Sequence, residues 1–398
     1  MVSGLLQQYA STIILVSAIG VLYLSLYLLK NFKPDILTRW GVTLEGPVVM
    51  LRTEKFNKVI ERIGSKYKKL ITLISYISIL VGVYLLAVGI YFIHVNLLAI
   101  IFKSPTAAPV APVLPGITIG LESLPYFVLA AAIVLIPHEF AHGIFASAFN
   151  VSIKSAGLLL AIILFGGFVE PDENEFEEIS LSRKIRVFSA GSFANFLTFI
   201  LLILVFTNAM IASGVLVNST LEGYPANEVL RAGDIIIKMN ETEVKSLQEL
   251  IVFMKNTKPG DVVKLTVVRN GDIVNVHIRL ASDPRNSTKG FMGASFNDFY
   301  SLVFFRDSFS DLARSLSTEV YKILIWSIMA TQSIAVINML PIYPFDGGQV
   351  VNAVIEKFIK NEKNRTIAKV SVSLYFAAIL LANMILSIKI WGLRLWLP

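Results

Sequence analysis

Residues 125–149 read PYFVLAAAIVLIPHEFAHGIFASAF, an apolar run of helical length that carries ionisable side chains within one helical turn. The run is long enough to cross a hydrocarbon core of roughly 30 Å. His138 and His142 are four residues apart, so a helix places both imidazoles on one face, with Glu139 between them in sequence. Because ionisable groups inside a membrane span are costly, they indicate a functional site. This stretch predicts a membrane helix built around a polar site.

The spacing of His138, Glu139 and His142 is typical of a zinc site. Two imidazoles at this spacing can share one Zn²⁺, and the intervening Glu is placed to take a proton from water. The chain has no Cys and only four His, so a metal must be held by imidazole and carboxylate groups. The remaining two histidines, His94 and His277, are interpreted as ordinary structural residues.

A third protein ligand is expected, because a catalytic zinc usually has three protein ligands and a water. The strongest candidate is Asp346, which lies in residues 338–348, NMLPIYPFDGG. It follows the fifth of the chain's apolar runs, residues 318–340. In the predicted topology this run and residues 125–149 both end at the cytoplasmic side, so ligands far apart in sequence can meet at one depth. The alternative is that Asp346 is a turn residue beside two glycines.

The composition excludes a purely water-soluble enzyme. Of 398 residues, 55% are hydrophobic and 16% are charged, whereas soluble domains carry roughly a quarter charged residues. Much of the formal net charge of +7 lies in loops beside the apolar runs, so it does not indicate a nucleic-acid partner. Six runs are long enough to span a bilayer. Their approximate limits are 9–29, 70–101, 125–149, 186–212, 318–340 and 367–392.

The distribution of Lys and Arg predicts the orientation of these spans. Residues 30–69 hold ten basic and four acidic side chains, which places this loop in the cytoplasm. The loop 350–366 is also basic and falls on the same side by alternation. We therefore expect a multi-pass cell-membrane protein whose N-terminus, C-terminus and segment 213–283 are extracytoplasmic, with the polar site toward the cytoplasmic side.

The spans also suggest a domain organisation. Segment 213–283 is charge-balanced and contains strand-like runs, turn dipeptides and a helical stretch, which predicts a small soluble α+β module. Residues 298–316 carry aromatic and charged side chains at helical spacing and predict an interfacial helix. The expected segments are two N-terminal helices with a basic loop (1–124), the first part of the membrane core (125–212), the soluble module (213–283), an interfacial linker (284–317) and the second part of the core (318–398).

The His-Glu-x-x-His run and the element from Asn338 to Asp346 resemble the site-2 protease family of intramembrane metalloproteases. The resemblance implies a membrane α-helical, polytopic bundle with a re-entrant β-loop and an inserted PDZ-like α+β domain. It also implies one Zn²⁺ per chain, bound by His138, His142 and Asp346, with Glu139 as the general base.

Further residues match this family and imply contacts with substrate. Residues 190–195, AGSFAN, resemble the family's Ala-Gly-Pro-x-x-Asn with Ser192 in place of Pro. The match implies that Asn195 binds substrate, with a bridge between helices as the alternative, and the family's Asn at Asn338 is implicated in the active site or in substrate binding. The family's re-entrant β-loop corresponds to Gly166, Gly167, Phe168 and Val169, for which a simple Gly-rich connector is the alternative.

The soluble module resembles a PDZ domain of the type found in bacterial proteases, through residues 223–226, GYPA, and 230–236, LRAGDII. The resemblance implies a peptide-binding loop formed by Gly214, Val215 and Leu216. This loop lacks the strict Gly-x-Gly-Phe pattern, so the fold is implied more directly than peptide binding.

Together with the spacing of the candidate zinc ligands, the resemblance implies hydrolysis of peptide bonds within or near transmembrane segments, as in regulated intramembrane proteolysis. The expected partners are single-span or membrane-anchored protein substrates and the lipid bilayer, without nucleic acid. One alternative is a metal transporter, since intramembrane His and Asp also suit an ion path; it predicts several polar sites along a route. The other alternative is an inactive protein that binds membrane clients through the PDZ-like module.

Overall fold

Long helices dominate the computed structural model, which describes residues 2–161, 164–306 and 308–392. A helix satisfies its own backbone hydrogen bonds, so apolar runs of this length are stable in lipid. The long helices are α1 (Val2–Phe32), α4 (Lys68–Ile101), α5 (Leu124–Ala148), α7 (Leu181–Ala209), α10 (Asp311–Ile337) and α12 (Glu362–Trp391). The short helices are α2 (Pro34–Arg39), α3 (Asn57–Lys66), α6 (Glu173–Glu178), α8 (Ala226–Val229), α9 (Leu247–Met254) and α11 (Asp346–Phe358).

Five helices of the described ranges are long and apolar enough to cross a membrane. They are α4, α5 with the turn before it, α7, α10 and α12, and they coincide with the second to sixth predicted spans. The first predicted span falls in α1, whose described apolar part, Val16–Phe32, is shorter than the roughly 20 residues that a span needs. The protein is a multi-pass membrane protein, and the first span stays a prediction.

Small residues let the helices around the site approach closely. A Cβ atom at Gly82 of α4 would lie 2.7 Å from Ser189 Oγ of α7. A Cβ atom at Gly89, two turns further along α4, would lie 3.0 Å from Leu340 Cδ2. Such small-residue contacts are typical of membrane helix packing, where van der Waals contact replaces the hydrophobic effect. They hold α4 against α7 and against the chain after α10.

A four-stranded antiparallel sheet lies beside α5. Its strands, in spatial order, are β1 (Val42–Glu45), β2 (Val48–Thr53), β3 (Ile153–Ala161) and β4 (Leu164–Pro171). The first two come from the basic loop 30–69, in which no strand was expected. Arg52 of β2 pairs with Glu170 of β4 and lies 5.5 Å from the Phe168 ring centroid, which fixes the two hairpins to one another.

Helix α3 joins the same part of the molecule. Ile60 is fully buried, and a Cβ atom at Gly143 of α5 would lie 2.8 Å from its Cγ2 atom. Asn57 Nδ2 donates hydrogen bonds to the carbonyls of Ile153, at 2.9 Å, and Lys154, at 2.8 Å. The N-terminal segment of the chain is therefore packed directly against the helix that carries His138.

Residues Leu201–Ile325 form a second compact unit, separate from the unit of Met1–Ile200 and Trp326–Pro398. Its main sheet runs in the order β12-β5-β6-β8-β9, with β7 paired to β6, and β10 pairs with β11. The buried core includes Val215, Val217 and Leu265, none of which is exposed to solvent. The strands are β5 (Met210–Thr220), β6 (Ile235–Met239), β7 (Thr242–Glu243), β8 (Val262–Arg269), β9 (Asp272–Arg279), β10 (Ala281–Asp283), β11 (Asn286–Phe291) and β12 (Ala294–Leu302). We call residues 210–302 the PDZ-like module.

The prediction of an interfacial helix over 298–316 is wrong. Residues up to Leu302 belong to β12, which pairs along its length with β5, and α10 begins only at Asp311. Phe299 and Ser301 are buried while Tyr300 and Leu302 are only partly buried, so burial alternates along β12 with the period of a strand. The interfacial linker assigned to 284–317 therefore contains β11 and β12, because long-range pairing with β5 overrides the local helical pattern.

The prediction of a peptide-binding loop at Gly214, Val215 and Leu216 is also wrong. All three residues lie inside β5, where Gly214 pairs with Phe299 of β12. Val215 and Leu216 pair with β12 on one side and with β6 on the other, so their backbone groups are already used within the sheet.

Candidate metal centre

Helix α5 brings His138 and His142 together. The helix runs without interruption through Pro137, and the two residues lie one turn apart on the same face. Their Nε2 atoms are 3.2 Å apart, and the His138 side chain is buried. The apolar run thus presents a pair of imidazole nitrogens at one point inside the helix bundle.

Asp346 is far from the two histidines in sequence but lies beside them in the structure. It is the first residue of α11, after the turn that follows α10. The Gly347 N–H donates to the Asn338 carbonyl at 2.9 Å, and a Cβ atom at Gly347 would lie 1.9 Å from the Met339 carbonyl oxygen. Only glycine permits this approach, which places Asp346 Oδ2 3.4 Å from the Nε2 atoms of both histidines.

The three candidate ligand atoms have the spacing of a tetrahedral zinc site. The distances among His138 Nε2, His142 Nε2 and Asp346 Oδ2 are 3.2, 3.4 and 3.4 Å. Zinc bonds of 2.0–2.1 Å in a tetrahedron hold their ligand atoms about 3.3 Å apart. Two imidazoles with one carboxylate is also a donor set that catalytic zinc uses. The residues present therefore fit the ion.

Gly191 of α7 lies against both histidine rings. A Cβ atom at this position would lie 2.3 Å from His142 Nε2 and 2.5 Å from His138 Nε2. Real Cβ atoms do not approach other atoms so closely, and the histidines are fixed by α5. Any larger residue at position 191 would clash with both histidine rings at their candidate ligand nitrogens.

Hydrogen bonds at the far side of each ring favour metal binding through Nε2. His142 Nδ1 lies 2.7 Å from the Val187 carbonyl, so it carries the proton and leaves Nε2 with a lone pair. His138 Nδ1 lies 3.0 Å from the Asn195 side-chain amide, whose buried Oδ1 atom has no partner within the described residues. Exchanging the amide oxygen and nitrogen of Asn195 lets Oδ1 accept the His138 Nδ1 proton. Both rings then direct a lone pair into the site.

Asn338 and Ser192 contact the candidate carboxylate ligand. Asn338 Nδ2 donates to Asp346 Oδ2 at 2.9 Å and lies 3.0 Å from His138 Nε2. Ser192 Oγ donates to Asp346 Oδ2 at 3.4 Å. From the sequence, Ser192 is only a replacement for Pro in the family's motif, and no spacing rule connects it with Asp346. The available signal was a small polar residue inside an apolar run, directly after Gly191; in the structure Ser192 is fully buried.

Glu139 lies against strand β4. A Cβ atom at Gly167 would lie 2.6 Å from Glu139 Cγ, and the backbone of Val169 is hydrogen-bonded to the Glu139 side chain. The four residues from Gly166 to Val169 belong to β4, the terminal strand of its sheet among the described residues, so this edge of the sheet runs alongside Glu139.

His94 and His277 lie outside the site. His94 Nδ1 contacts the Ile90 carbonyl at 2.7 Å, and its Nε2 contacts Tyr375 Oη at 3.0 Å. His277 is exposed on β9, opposite Lys264. Both placements agree with the interpretation of these histidines as structural residues.

The chain matches the model of peptidase family M50 over residues 126–382. It is 30% identical to an uncharacterized protein of Methanocaldococcus jannaschii, over 90% of each chain. It is 22% identical to the zinc metalloprotease RasP of Shouchella clausii, over 46% of this chain and 53% of that one. Among solved structures, the PDZ domain of an SdrC-like protein from Listeria monocytogenes is 31% identical, covering 24% of this chain and 93% of that chain with a TM-score of 0.20. The chain belongs to peptidase family M50, the site-2 protease family, and is a zinc metalloprotease.

Proposed function

We propose that this protein hydrolyses peptide bonds within or near the transmembrane segments of membrane-anchored proteins, with one zinc ion bound by His138, His142 and Asp346. The observation that carries the proposal is the triangle of candidate ligand atoms at tetrahedral spacing. Glu139 lies on the helix that carries the two histidines of this triangle. A metal transporter needs further polar sites along a path, and no second group of metal-binding side chains occurs among the described residues.

Zinc supplies polarisation of the scissile carbonyl and a more acidic water. The Glu139 carboxylate accepts a proton from the attacking water as the oxygen bonds to the carbonyl carbon. When the C–N bond breaks, the same carboxylate gives that proton to the leaving amine nitrogen. Val169 orients Glu139 through its backbone hydrogen bond, and Gly167 gives the carboxylate stem room beside β4.

A helical substrate must unwind before attack, because its backbone carbonyls are bonded within the helix. Strand β4 is suited to bind the unwound segment, because in the described part of the chain it is the edge of a sheet and lies beside Glu139. An extended peptide that adds to such an edge gains backbone hydrogen bonds. In this proposal residues Gly166 to Val169 form the re-entrant β-loop, and Asn195 and Asn338 act near the substrate through the ligands that they contact.

The proposed topology places the PDZ-like module and both termini outside the cytoplasm, with the zinc site toward the cytoplasmic side. The excess of basic residues in 30–69 supports this orientation. The module would then limit access by large substrate ectodomains or tether substrates that another protease has shortened, as regulated intramembrane proteolysis requires.

The test is cleavage of a single-span substrate by the detergent-purified protein, beside Glu139→Gln, with zinc content measured on both. The expected result is cleavage by the parent only, with about one zinc in each protein, because Gln keeps the shape of Glu but cannot accept the proton. Equal cleavage by both proteins would remove Glu139 from its proposed role. Absence of zinc from both, after preparation without chelators, would overturn the proposed site.

A further inference from the structure

A second polar cavity lies away from the metal centre, where three of the long helices begin or end. Helix α4 starts at Lys68, α5 ends at Ala148 and α7 starts at Leu181, and all three ends border the cavity. Its volume is about 280 Å³, compared with roughly 30 Å³ for a water molecule in the liquid. The residues that line it are Lys68, Thr72, Tyr76, Ala148, Phe149, Asn150, Ser180, Arg183 and Arg186, with no carboxylate among them.

Arg186 is the central feature of this cavity. Its side chain is only 8% exposed, its guanidinium carbon lies 3.7 Å from the Tyr76 ring centroid, and its Nε atom is buried without a hydrogen-bond partner. The one hydrogen bond that the described residues give it is from Nη2 to Ser182 Oγ, at 3.1 Å. A buried cation needs an anionic or strongly accepting partner. Arg186 lines a cavity without carboxylates and has no anionic partner among the described residues, which indicates a missing anion.

Two more cations and a helix end face the same cavity. Lys68 Nζ donates to the neutral Asn150 side chain at 2.7 Å, and the Arg183 guanidinium lies 5.7 Å from the Phe149 ring centroid. Neither takes part in an ion pair within the described ranges. Ser180 immediately precedes α7, and the first N–H groups of a helix favour anions.

We infer that this cavity binds a phosphate group, either in a phospholipid headgroup or as free phosphate. Arginine presents a planar set of N–H donors that matches phosphate oxygens. Basic pockets between membrane helices are suited to anionic headgroups when they lie at the membrane surface. This cavity lies at the ends of three membrane-spanning helices, so a lipid phosphate can reach it from the bilayer.

The test measures binding to the delipidated full-length protein by native mass spectrometry, using phosphatidylglycerol and inorganic phosphate as separate probes. The variant Arg183→Gln/Arg186→Gln removes two charges from the cavity. Its matched control, Arg62→Gln/Lys69→Gln, removes two exposed charges nearby that do not line it. We expect the parent and the control to bind alike, and the cavity variant to bind about 10-fold or more weakly.

The two probes separate the two sources of phosphate. Binding of phosphatidylglycerol that inorganic phosphate does not displace supports a lipid site, and direct binding of inorganic phosphate supports a site for the free anion. Arg183→Gln alone and Arg186→Lys cover the case in which the double variant does not fold. The first should weaken binding, and the second should weaken it less than the double variant does, because Lys keeps the charge but lacks the planar set of N–H donors. Equal binding of both probes by parent, cavity variants and control would overturn the inference.

Discussion

The metal centre and the PDZ-like module each bury an aspartate, but they satisfy it in different ways. In the module, Arg269 Nε and Nη2 donate to Asp234 Oδ1 and Oδ2 at 2.9 and 2.6 Å, and these hydrogen bonds raise the pKa of Arg269. At the metal centre, Asp346 faces two imidazole nitrogens that are themselves only 3.2 Å apart. The Asp234 carboxylate is paired with a positive charge of the protein. The Asp346 carboxylate instead lies around a common point with the lone pairs of the two imidazole nitrogens. Burial alone does not identify a functional carboxylate; the arrangement of its partners does.

The largest expected effect comes from a steric clash with the two histidines of the metal centre. Gly191→Ala places a methyl group 2.3 Å from His142 Nε2, so zinc binding and cleavage should both fall below detection. Zinc content of the purified protein, measured beside substrate cleavage, checks this. The control is Gly20→Ala, where no atom lies within 4 Å of the added methyl group. Retention of one zinc per chain by Gly191→Ala would show that the ion binds elsewhere.

Replacing the candidate carboxylate ligand should have the next largest effect. Asp346→Asn keeps the shape of the side chain but removes its charge, and zinc affinity should fall by at least about 100-fold, the upper end of what loss of an outer-shell partner causes. Competition with a zinc chelator measures the affinity. If Asp346→Asn bound zinc as tightly as the parent protein does, Asp346 would not be the third zinc ligand.

A smaller loss is expected at Asn195, which contacts His138 without being a ligand. Asn195→Ala removes the acceptor for the Nδ1 proton, and zinc affinity should fall about 10–100-fold. Asn195→Asp restores an acceptor and should recover much of the loss. Asn208→Ala, on the same helix and bonded to its own backbone, is the control. If Asn195→Asp bound zinc as weakly as Asn195→Ala, the positioning role would be contradicted.

The smallest effect on zinc should come from Asp234→Asn. This change breaks the charge pair with Arg269 inside the module and should lower the free energy of unfolding by about 1.5–3 kcal/mol, while zinc affinity stays at the parent value. Thermal unfolding and chelator competition on the same preparation measure both quantities. If Asp234→Asn lost most of its zinc, the hydrogen-bond partners of Asp234 and Asp346 would not distinguish a structural aspartate from a metal ligand.

The parts of the molecule that follow from local sequence were predictable. Apolar length predicted helices α4, α5, α7, α10 and α12, and the four-residue spacing placed His138 and His142 on one face. Asp346 was identified because a two-histidine site lacks a ligand, and the structure brings its carboxylate to that site. In each case the signal is contained in a short window or in the chemistry of one ion.

The parts that depend on long-range pairing were missed. Strand β2 pairs with β3 across about 100 residues, and β12 pairs with β5 across about 80, so neither neighbour is visible locally. The aromatic spacing over 298–316 resembled a helix, although residues up to Leu302 form a strand. The role of Gly191 was also hidden, because the reason for glycine is the position of two side chains on another helix.

X-ray absorption at the zinc edge of the purified protein reports directly on the ligands of the metal centre. We expect about one zinc per chain, with two imidazole nitrogens and carboxylate oxygen among its ligands at about 2.0–2.1 Å. The same measurement on His142→Ala should show loss of zinc or of one imidazole. A parent spectrum without imidazole scattering would contradict a centre formed by His138, His142 and Asp346.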